Sequence, residues 1–287
     1  MDFDDLDTAE DVCKQERLSS LPALVCLYSS GFTAQQGRDL MAPFLARCRA
    51  SGPLQWHLVL DHYPEPPHDQ CKDYAEHIEK LVEQIEASPH CQGRPLFLVA
   101  HSFGCSKAYG VAKRLGDRVL KAYMLASRPT SMPMIEEVLG ARTWKEVERL
   151  DDVSMLKGSL SAWPNPVFEF YKGVAAAKLP PIVKSAMALM RHQFSHPTNA
   201  LCEEGWKQAL EYTGQSKMTC PILAVACRRE KPKGEMREKM KGWKELTTGG
   251  FDLLTVDADH FGCIRASKEN PLPPLYDVLL EDMMKQC

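Results

Sequence analysis

The sequence predicts an α/β fold: a mainly parallel sheet with helices on both faces and an inserted helical lid. Three observations carry that expectation. Strand-like apolar runs alternate with amphipathic helical stretches from residue 21 to residue 126. The strand pattern then vanishes from about 133 to 217, where helical stretches take over. It returns in 220–227 and 251–256. Strands alternating with helices argue for a sheet covered by helices on both faces.

The 287 residues, 44% hydrophobic and 25% charged, suffice for one large domain with a sizeable core, placed at 20–287. Residues 1–19 are polar and rich in Asp and Glu. With little apolar surface to offset the entropy of ordering, they are expected to form a mobile or loosely docked arm. The run 21–28, Leu-Pro-Ala-Leu-Val-Cys-Leu-Tyr, reads as a buried strand. It leads into Ser29-Ser-Gly-Phe-Thr33, a turn before a helix carrying Leu40, Met41, Phe44, Leu45 and Cys48. A second strand is expected at 55–60. A helix over about 70–87 then lines up Tyr74, Ile78, Leu81, Val82 and Ile85 at the spacing of one helix face. The run 119–126 reads as a further strand, and Ser127-Arg-Pro-Thr-Ser-Met-Pro breaks it.

Within the lid, helices are expected at 134–139, 167–177, 181–190 and 203–212. Their apolar side chains, among them Trp163, Phe168, Phe170, Tyr171, Ile182 and Met187, either pack the lid itself or roof a pocket beneath it. Beyond the break at Pro271, Pro273 and Pro274, the segment 275–285 is expected to close the domain as a helix, with Leu275, Val278, Leu279 and Met283 facing inward.

A net charge of −3, with no basic run interleaved with aromatics, gives no reason to expect nucleic acid. A small-molecule or protein-borne substrate fits better. The eleven cysteines are odd in number, scattered, and often inside apolar runs (Cys26, Cys48, Cys220, Cys227), which is how reduced core thiols look. No Cys-x-x-Cys pair or Cys/His cluster has metal spacing, so neither metal nor cofactor is expected. The first residues are acidic where a targeting peptide would be basic, and no apolar run approaches membrane length. A cytoplasmic, monomeric enzyme is the expectation.

The chemistry centres on 95–105, Pro-Leu-Phe-Leu-Val-Ala-His-Ser-Phe-Gly-Cys. An apolar strand ending in Ala100-His-Ser-Phe-Gly104, with a helix at once after it, looks like a nucleophile elbow. Such a turn lifts its central hydroxyl above the sheet, and the flanking small residues let helix and backbone pass close by. Ser102 is the candidate nucleophile, although a serine between small residues also fits an accidental tight turn. Its hydroxyl needs an imidazole within reach and a carboxylate to orient that imidazole. Of nine histidines, His260 follows the last predicted strand, where an α/β-hydrolase sheet delivers its base. His101 adjoins the nucleophile, but its side chain must point away from Ser102. Glu230 is the first carboxylate after the strand 220–227, and the order Ser102, Glu230, His260 matches that fold. Glu230 also reads as a solvated charge amid basic neighbours, and Asp257 and Asp259 are its rivals. The oxyanion hole is assigned to the Phe103 N–H and a second donor in 29–31, Ser30.

These residues resemble a known family, the stand-alone type II thioesterases of polyketide and nonribosomal peptide synthesis, and the related medium-chain fatty-acyl thioesterases. The likeness spans most of the chain outside the arm. It rests on Ala100-His-Ser-Phe-Gly104, Met124-Leu-Ala-Ser-Arg-Pro, Cys220-Pro-Ile, Trp243-Lys-Glu-Leu-Thr247 and Asp259-His-Phe261 in that order. The resemblance implies an α/β-hydrolase fold, with Ser102 as acyl acceptor, His260 as base and the position of Glu230 as the acid. The family usually has Asp there, and its Pro-His-Ala-Gly-Gly oxyanion loop appears here as Tyr28-Ser-Ser-Gly-Phe32. It also implies an acyl thioester substrate on phosphopantetheine, borne by acyl carrier protein or coenzyme A. The basic stretch Arg228, Arg229, Lys231, Lys233, Arg237, Lys239, Lys241 and Lys244 either steers an acidic carrier or is a solvated helix face. A carboxylesterase or lipase acting on oxygen esters, and a noncatalytic binding protein of the same fold, stand as alternatives.

Overall fold

Each of the five- to seven-residue apolar runs pairs into one sheet. Its strands are β1 (Ala23–Leu27), β2 (Trp56–Leu60), β3 (Leu96–His101), β4 (Val119–Leu125), β5 (Ile222–Cys227) and β6 (Phe251–Val256). They lie in the order β2-β1-β3-β4-β5-β6, every pairing parallel. The computed structural model describes residues 21–28, 34–50, 56–60, 71–129, 134–162, 166–196, 200, 203–214, 216–230, 235–265 and 274–286. The polar arm expected at 1–19 and the loop 29–33 lie outside them.

Parallel strands bury both faces, and the two-residue alternation of side chains divides the core. On one face Leu24, Cys26, Phe97, Val99, Tyr123 and Val225 pack against α1 (Ala34–Ala50) and the closing helix, which runs Pro274–Met284. There the Phe44 and Tyr276 rings meet at 4.9 Å. On the other face Val25, Leu98, Ala100, Met124 and Ala224 meet α2 (Tyr74–Ala87) and α3 (Gly104–Leu115). Helix α2 begins at Tyr74, later than the pattern predicted, because the Asp73 carboxylate caps it by accepting the Glu76 N–H at 2.9 Å. All five of its expected core residues are buried.

Between β4 and β5 the described chain is helical: α4 (Met134–Leu139), α5 (Trp144–Glu148), α6 (Asp152–Ala162), α7 (Pro166–Glu169), α8 (Pro181–Ser195) and α9 (Glu203–Tyr212). The helix expected over 167–177 stops at Glu169, and Gly173 at φ 88° turns the chain into a short 3-10 turn, Ala176–Lys178. Helix α5 was signalled by Thr143 and Glu146, which form a capping box. This insertion has a core of its own, including Ile135, Val147, Met155, Leu156, Val183, Met187 and Phe194, and it reaches the sheet domain at Phe103. Of the side chains weighed as a roof, Met187 is buried, whereas Phe170 and Ile182 face solvent at 85% and 74% exposure. Trp163 lies outside the described residues.

After β5 come α10 (Glu235–Met240) and a 3-10 segment, Lys241–Leu246, and the closing helix Pro274–Met284 is α11. In α11, Leu275, Leu279 and Met283 are buried as expected, and Val278 is not. Tyr276 and Leu280 complete the inward stripe, and at 100° per residue Val278 falls well outside it.

Candidate active site

The strand β3 is wholly buried and ends at the C-terminal edge of the sheet, where ligands bind in open α/β folds. Ser102, the next residue, sits in the left-handed region at φ 53°. Such strain, of order 1–3 kcal/mol, persists only where surrounding bonds over-determine it. Here the Ser102 N–H donates to the Leu125 carbonyl at 2.8 Å, and the Ser102 carbonyl accepts from the Cys105 N–H at 3.0 Å. Gly104 is required by close approach, because a Cβ there would stand 2.3 Å from the Leu27 carbonyl oxygen at the end of β1.

The structure brings Ser102, His260 and Glu230 together. His260 Nε2 is 2.9 Å from Ser102 Oγ, and His260 Nδ1 is 2.8 Å from Glu230 Oε1. All three side chains are buried. The turns beyond β5 and β6 are joined: the Arg228 N–H donates to the Val256 carbonyl at 2.9 Å, and the Arg229 N–H to the Ala258 carbonyl at 3.0 Å. The rivals of Glu230 are occupied elsewhere. The Asp257 carboxylate faces outward and pairs with Arg229 at 3.3 Å. The Asp259 carboxylate turns back on its own loop, accepting the Phe261 and Gly262 N–H groups at 3.1 and 2.6 Å. The solvated-charge reading of Glu230 fails because the side chain is only 1% exposed.

Burial disfavours the charged form of both partners. It raises the Glu230 carboxyl well above the usual carboxylate range, against the pull of the nearby Arg128 cation. Burial likewise pushes the His260 imidazole down to about 3, opposed by the Asp259 charge. A neutral imidazole between a hydroxyl and a carboxylate is able to accept a proton from the first and share the resulting charge with the second.

Of the two expected oxyanion donors, Phe103 opens α3 in helical geometry, φ −58° and ψ −29°, so its amide belongs to the helix's first turn. Ser30 lies outside the described residues. Phe103 also carries the insertion, its ring stacking on Phe194 with centroids 6.0 Å apart.

The contacts of four further residues carried no signal in the sequence. The Nε2 of His101 bonds the His260 carbonyl at 2.8 Å. Lys107, fully buried on α3, lies over the Tyr74 and Phe103 rings at 5.1 and 5.5 Å. Burial lowers its ammonium to about 7. Arg128 is buried after β4 and pairs with Glu137 at 2.5 Å. Trp243 donates its indole N–H to the Ser127 carbonyl at 2.7 Å. The segments holding Arg128 and Trp243 stand out in the sequence, but their contact spans 116 positions and left no local signal.

Much of the basic stretch is engaged internally. Arg229 meets Asp257, Arg237 meets Thr255, Lys239 meets Glu137 and Glu235, and Lys241 meets Glu238. Lys231 and Lys233 lie outside the described residues. Among the described residues no group of three His, Cys, Asp or Glu is placed to hold a metal ion. Nor is any helix there long and apolar enough to cross a membrane.

No family model matches the chain. It is 26% identical over 254 residues to thioesterase TesA of Mycobacterium marinum, covering 86% of this chain and 87% of that protein. Among solved structures it resembles the RedJ thioesterase of the prodiginine pathway in Streptomyces coelicolor, with a TM-score of 0.60 and 17% identity over 94% and 87% of the two chains. It also resembles YbtT, a type II thioesterase of the yersiniabactin pathway, with a TM-score of 0.59 and 13% identity over 93% and 94%. A lipase-esterase related protein from Clostridium acetobutylicum aligns with a TM-score of 0.57 and 15% identity over 94% and 96%. The chain is thus an α/β-hydrolase-fold protein with a thioesterase as its sequence relative and type II thioesterases among its structural neighbours.

Proposed function

We propose that this protein is a serine thioesterase that hydrolyses acyl thioesters through an acyl-enzyme on Ser102. The observation that carries the reading is the single imidazole of His260 bridging Ser102 Oγ at 2.9 Å and Glu230 Oε1 at 2.8 Å.

In the proposed cycle His260 Nε2 takes the Ser102 proton as Oγ attacks the thioester carbonyl. Glu230 holds the imidazole in the tautomer that leaves Nε2 open, and it stabilises the imidazolium that forms. The Phe103 N–H, with Ser30 as second donor, receives the oxyanion, each donor contributing about 3 to 4 kcal/mol to lowering the barrier. Collapse of the tetrahedral species expels the thiolate, which takes the proton from His260. Water, deprotonated by the same imidazole, then attacks the acyl-enzyme, and Ser102 leaves with the proton. No metal or cofactor enters these steps.

We read the helical insertion as a lid over this site, with the domain at 20–287 and the arm at 1–19. The donor is an acyl group on phosphopantetheine, carried by acyl carrier protein or coenzyme A, and the setting is a cytoplasmic, monomeric enzyme of polyketide or fatty-acid metabolism. Similarity to a thioesterase along 86% of the chain supports thioester over oxygen ester. The fold likeness to a lipase-esterase related protein keeps an oxygen-ester hydrolase as the second reading. A noncatalytic binding protein would have no use for the aligned hydroxyl, imidazole and carboxylate.

The test is thiol release from acyl thioesters of graded chain length, with matched oxygen esters alongside, for the native chain and Ser102→Ala. Serine-dependent release favouring thioesters is expected. Faster turnover of the oxygen esters would transfer the chain to the second reading, and no phosphonylation of Ser102 by a fluorophosphonate would remove the hydrolase reading.

A further inference from the structure

The two most exposed large apolar side chains among the described residues both lie on one short stretch of the insertion. Phe170 is 85% and Ile182 74% exposed, and Ala175, Ala176, Ala177 and Pro181 between them also face solvent. The stretch is firmly anchored. Leu179, Val183 and Met187 are buried in the insertion's core, and Tyr171 and Val174 pack against it. Main-chain turns fix its path: the Tyr171 N–H donates to the Phe168 carbonyl at 2.9 Å, the Val174 N–H to the Tyr171 carbonyl at 3.0 Å and the Lys178 N–H to the Ala175 carbonyl at 2.9 Å. Apolar groups held outward on an anchored segment mark an interaction surface, because covering them with a partner costs little ordering entropy.

The charge on this surface has one sign. The whole chain carries a net charge of −3, yet residues 170–202 hold Lys172, Lys178, Lys184 and Arg191 and no carboxylate. Arg191 is taken by Asp152, and Lys172 reaches Glu169 at 3.9 Å. Lys178 and Lys184 make no ion pair among the described residues. The basic stretch after β5 differs, since Arg229, Lys239 and Lys241 direct their charge to carboxylates of this chain.

Helix α8 joins this surface to the candidate site. Twelve residues beyond Ile182, about 18 Å at the rise of an α-helix, Phe194 stacks on Phe103 beside Ser102. A phosphopantetheine arm, built of peptide-like links, extends about 15 Å at backbone dimensions. The two lengths are of one scale.

We infer that the segment 170–185 docks the acyl carrier protein that delivers the thioester. Acidic side chains of the carrier meet Lys178 and Lys184, an apolar face covers Phe170 and Ile182, and the arm runs along α8 toward Ser102. The inference rests on the thioesterase reading above. A lipid surface fits less well: along the exposed side of α8, Ile182 is followed by Ser185 and Ala188, so the helix lacks a continuous apolar stripe. A second copy also fits less well, since a two-fold contact would set these lysines against themselves with no carboxylate to meet them.

The test pairs two readouts that fail separately. Hydrolysis of an acyl thioester of N-acetylcysteamine, which needs no carrier, reports the reaction. Binding of labelled holo acyl carrier protein of fatty-acid synthesis to Ser102→Ala, followed by fluorescence anisotropy, reports the surface. Binding should weaken as salt is added. Lys178→Glu with Lys184→Glu, and separately Ile182→Ser, should each raise Kd about tenfold or more. Turnover of the small thioester should stay native, while carrier-borne thioester loses kcat/KM through KM. Surface changes of this kind leave the fold intact, which circular dichroism checks. Native carrier affinity in both variants overturns the inference, as does a chain that hydrolyses the small thioester and binds no carrier. An equal loss on the small thioester would reduce these residues to a structural role. Carrier binding that depends on the lysines, in a native chain inert toward the small thioester, would remove the reaction and leave the surface. Lysine-dependent binding to phosphatidylglycerol vesicles in place of the carrier, or a dimer that Ile182→Ser dissolves, would overturn the inference in favour of a lipid surface or a second copy.

Discussion

The ring of His101 reaches the main-chain carbonyl of His260 at 2.8 Å, so the strand that leads to Ser102 also props the loop that carries His260. Among the described residues, the weak thiol donor of Cys263, at 3.4 Å, shares that carbonyl. Replacing His101 by Leu is expected to destabilise the chain by about 1–3 kcal/mol, the cost of an unsatisfied buried acceptor. Displacing the imidazole should also lower kcat by about ten- to a hundredfold. Urea unfolding and steady-state turnover measure the two effects, and native kcat in a chain of normal stability would remove the strut.

Glu230→Gln keeps the size of the acid and loses its charge, so His260 settles in the wrong tautomer. A kcat loss of about ten-thousand-fold is expected, with the fold intact by circular dichroism. Glu230→Asp, one methylene shorter, cannot hold 2.8 Å to Nδ1 without moving the turn, and should fall between native and Gln. Equal activity of the Gln variant and the native chain would end the assignment of the acid.

Gly104→Ala places a methyl 2.3 Å from a main-chain oxygen and 2.7 Å from its carbon. Neither is the far end of a flexible side chain, so α3 must lift from β1. Overpacking of this kind costs about 1–3 kcal/mol, and here the elbow moves with it. A lowered melting temperature together with slowed Ser102 acylation is the expected pair of results. An unchanged melt would mean that the helix has room to shift.

The pH dependence of stability should carry the mark of Lys107. Burial puts its folded value at about 7, below an unfolded value near 10.5. Between these limits the unfolded chain holds a proton that the folded chain does not. Its contribution is thus fully present above about 10.5, is lost as pH falls toward 7, and is flat below that. The difference is on the order of a few kcal/mol. Lys107→Met should show a shallower rise in unfolding free energy between pH 7 and 10 than the native chain, and parallel curves would refute the assignment.

What was legible in the sequence follows from where each signal resides. Ser102 lies in a contiguous strand, turn and helix, and Gly104 reports its close packing directly. His260 and Glu230 were found by counting from strand ends, which works because parallel strands deliver their following residues to one edge of the sheet. The 3-10 turn at 176–178 in place of a helix depended on one glycine at φ 88°, whose effect an apolar pattern hides. Helix α5 announced itself by Thr143 and Glu146, a signal that an eye for hydrophobic periodicity passes over. The supports around the site, His101 on His260 and Trp243 on Ser127, are bonds from side chain to backbone carbonyl. A carbonyl is the same at every position, so no pattern of residue types reveals such an acceptor.

The helical insertion has a consequence for the order of assembly. Strands β1 to β4 pair within the first 125 residues, whereas β5 joins β4 only when Ile222 is brought beside Ala122. Closing so long a loop is entropically costly and slow. The serine turn depends on contacts made early, with Leu125 and Leu27, while Glu230 and His260 both belong to the part that docks last. A chain halted before that docking carries a formed elbow without His260 beside it. In the proposed mechanism, hydrolytic competence therefore arrives with the final strands, as a property of the completed molecule.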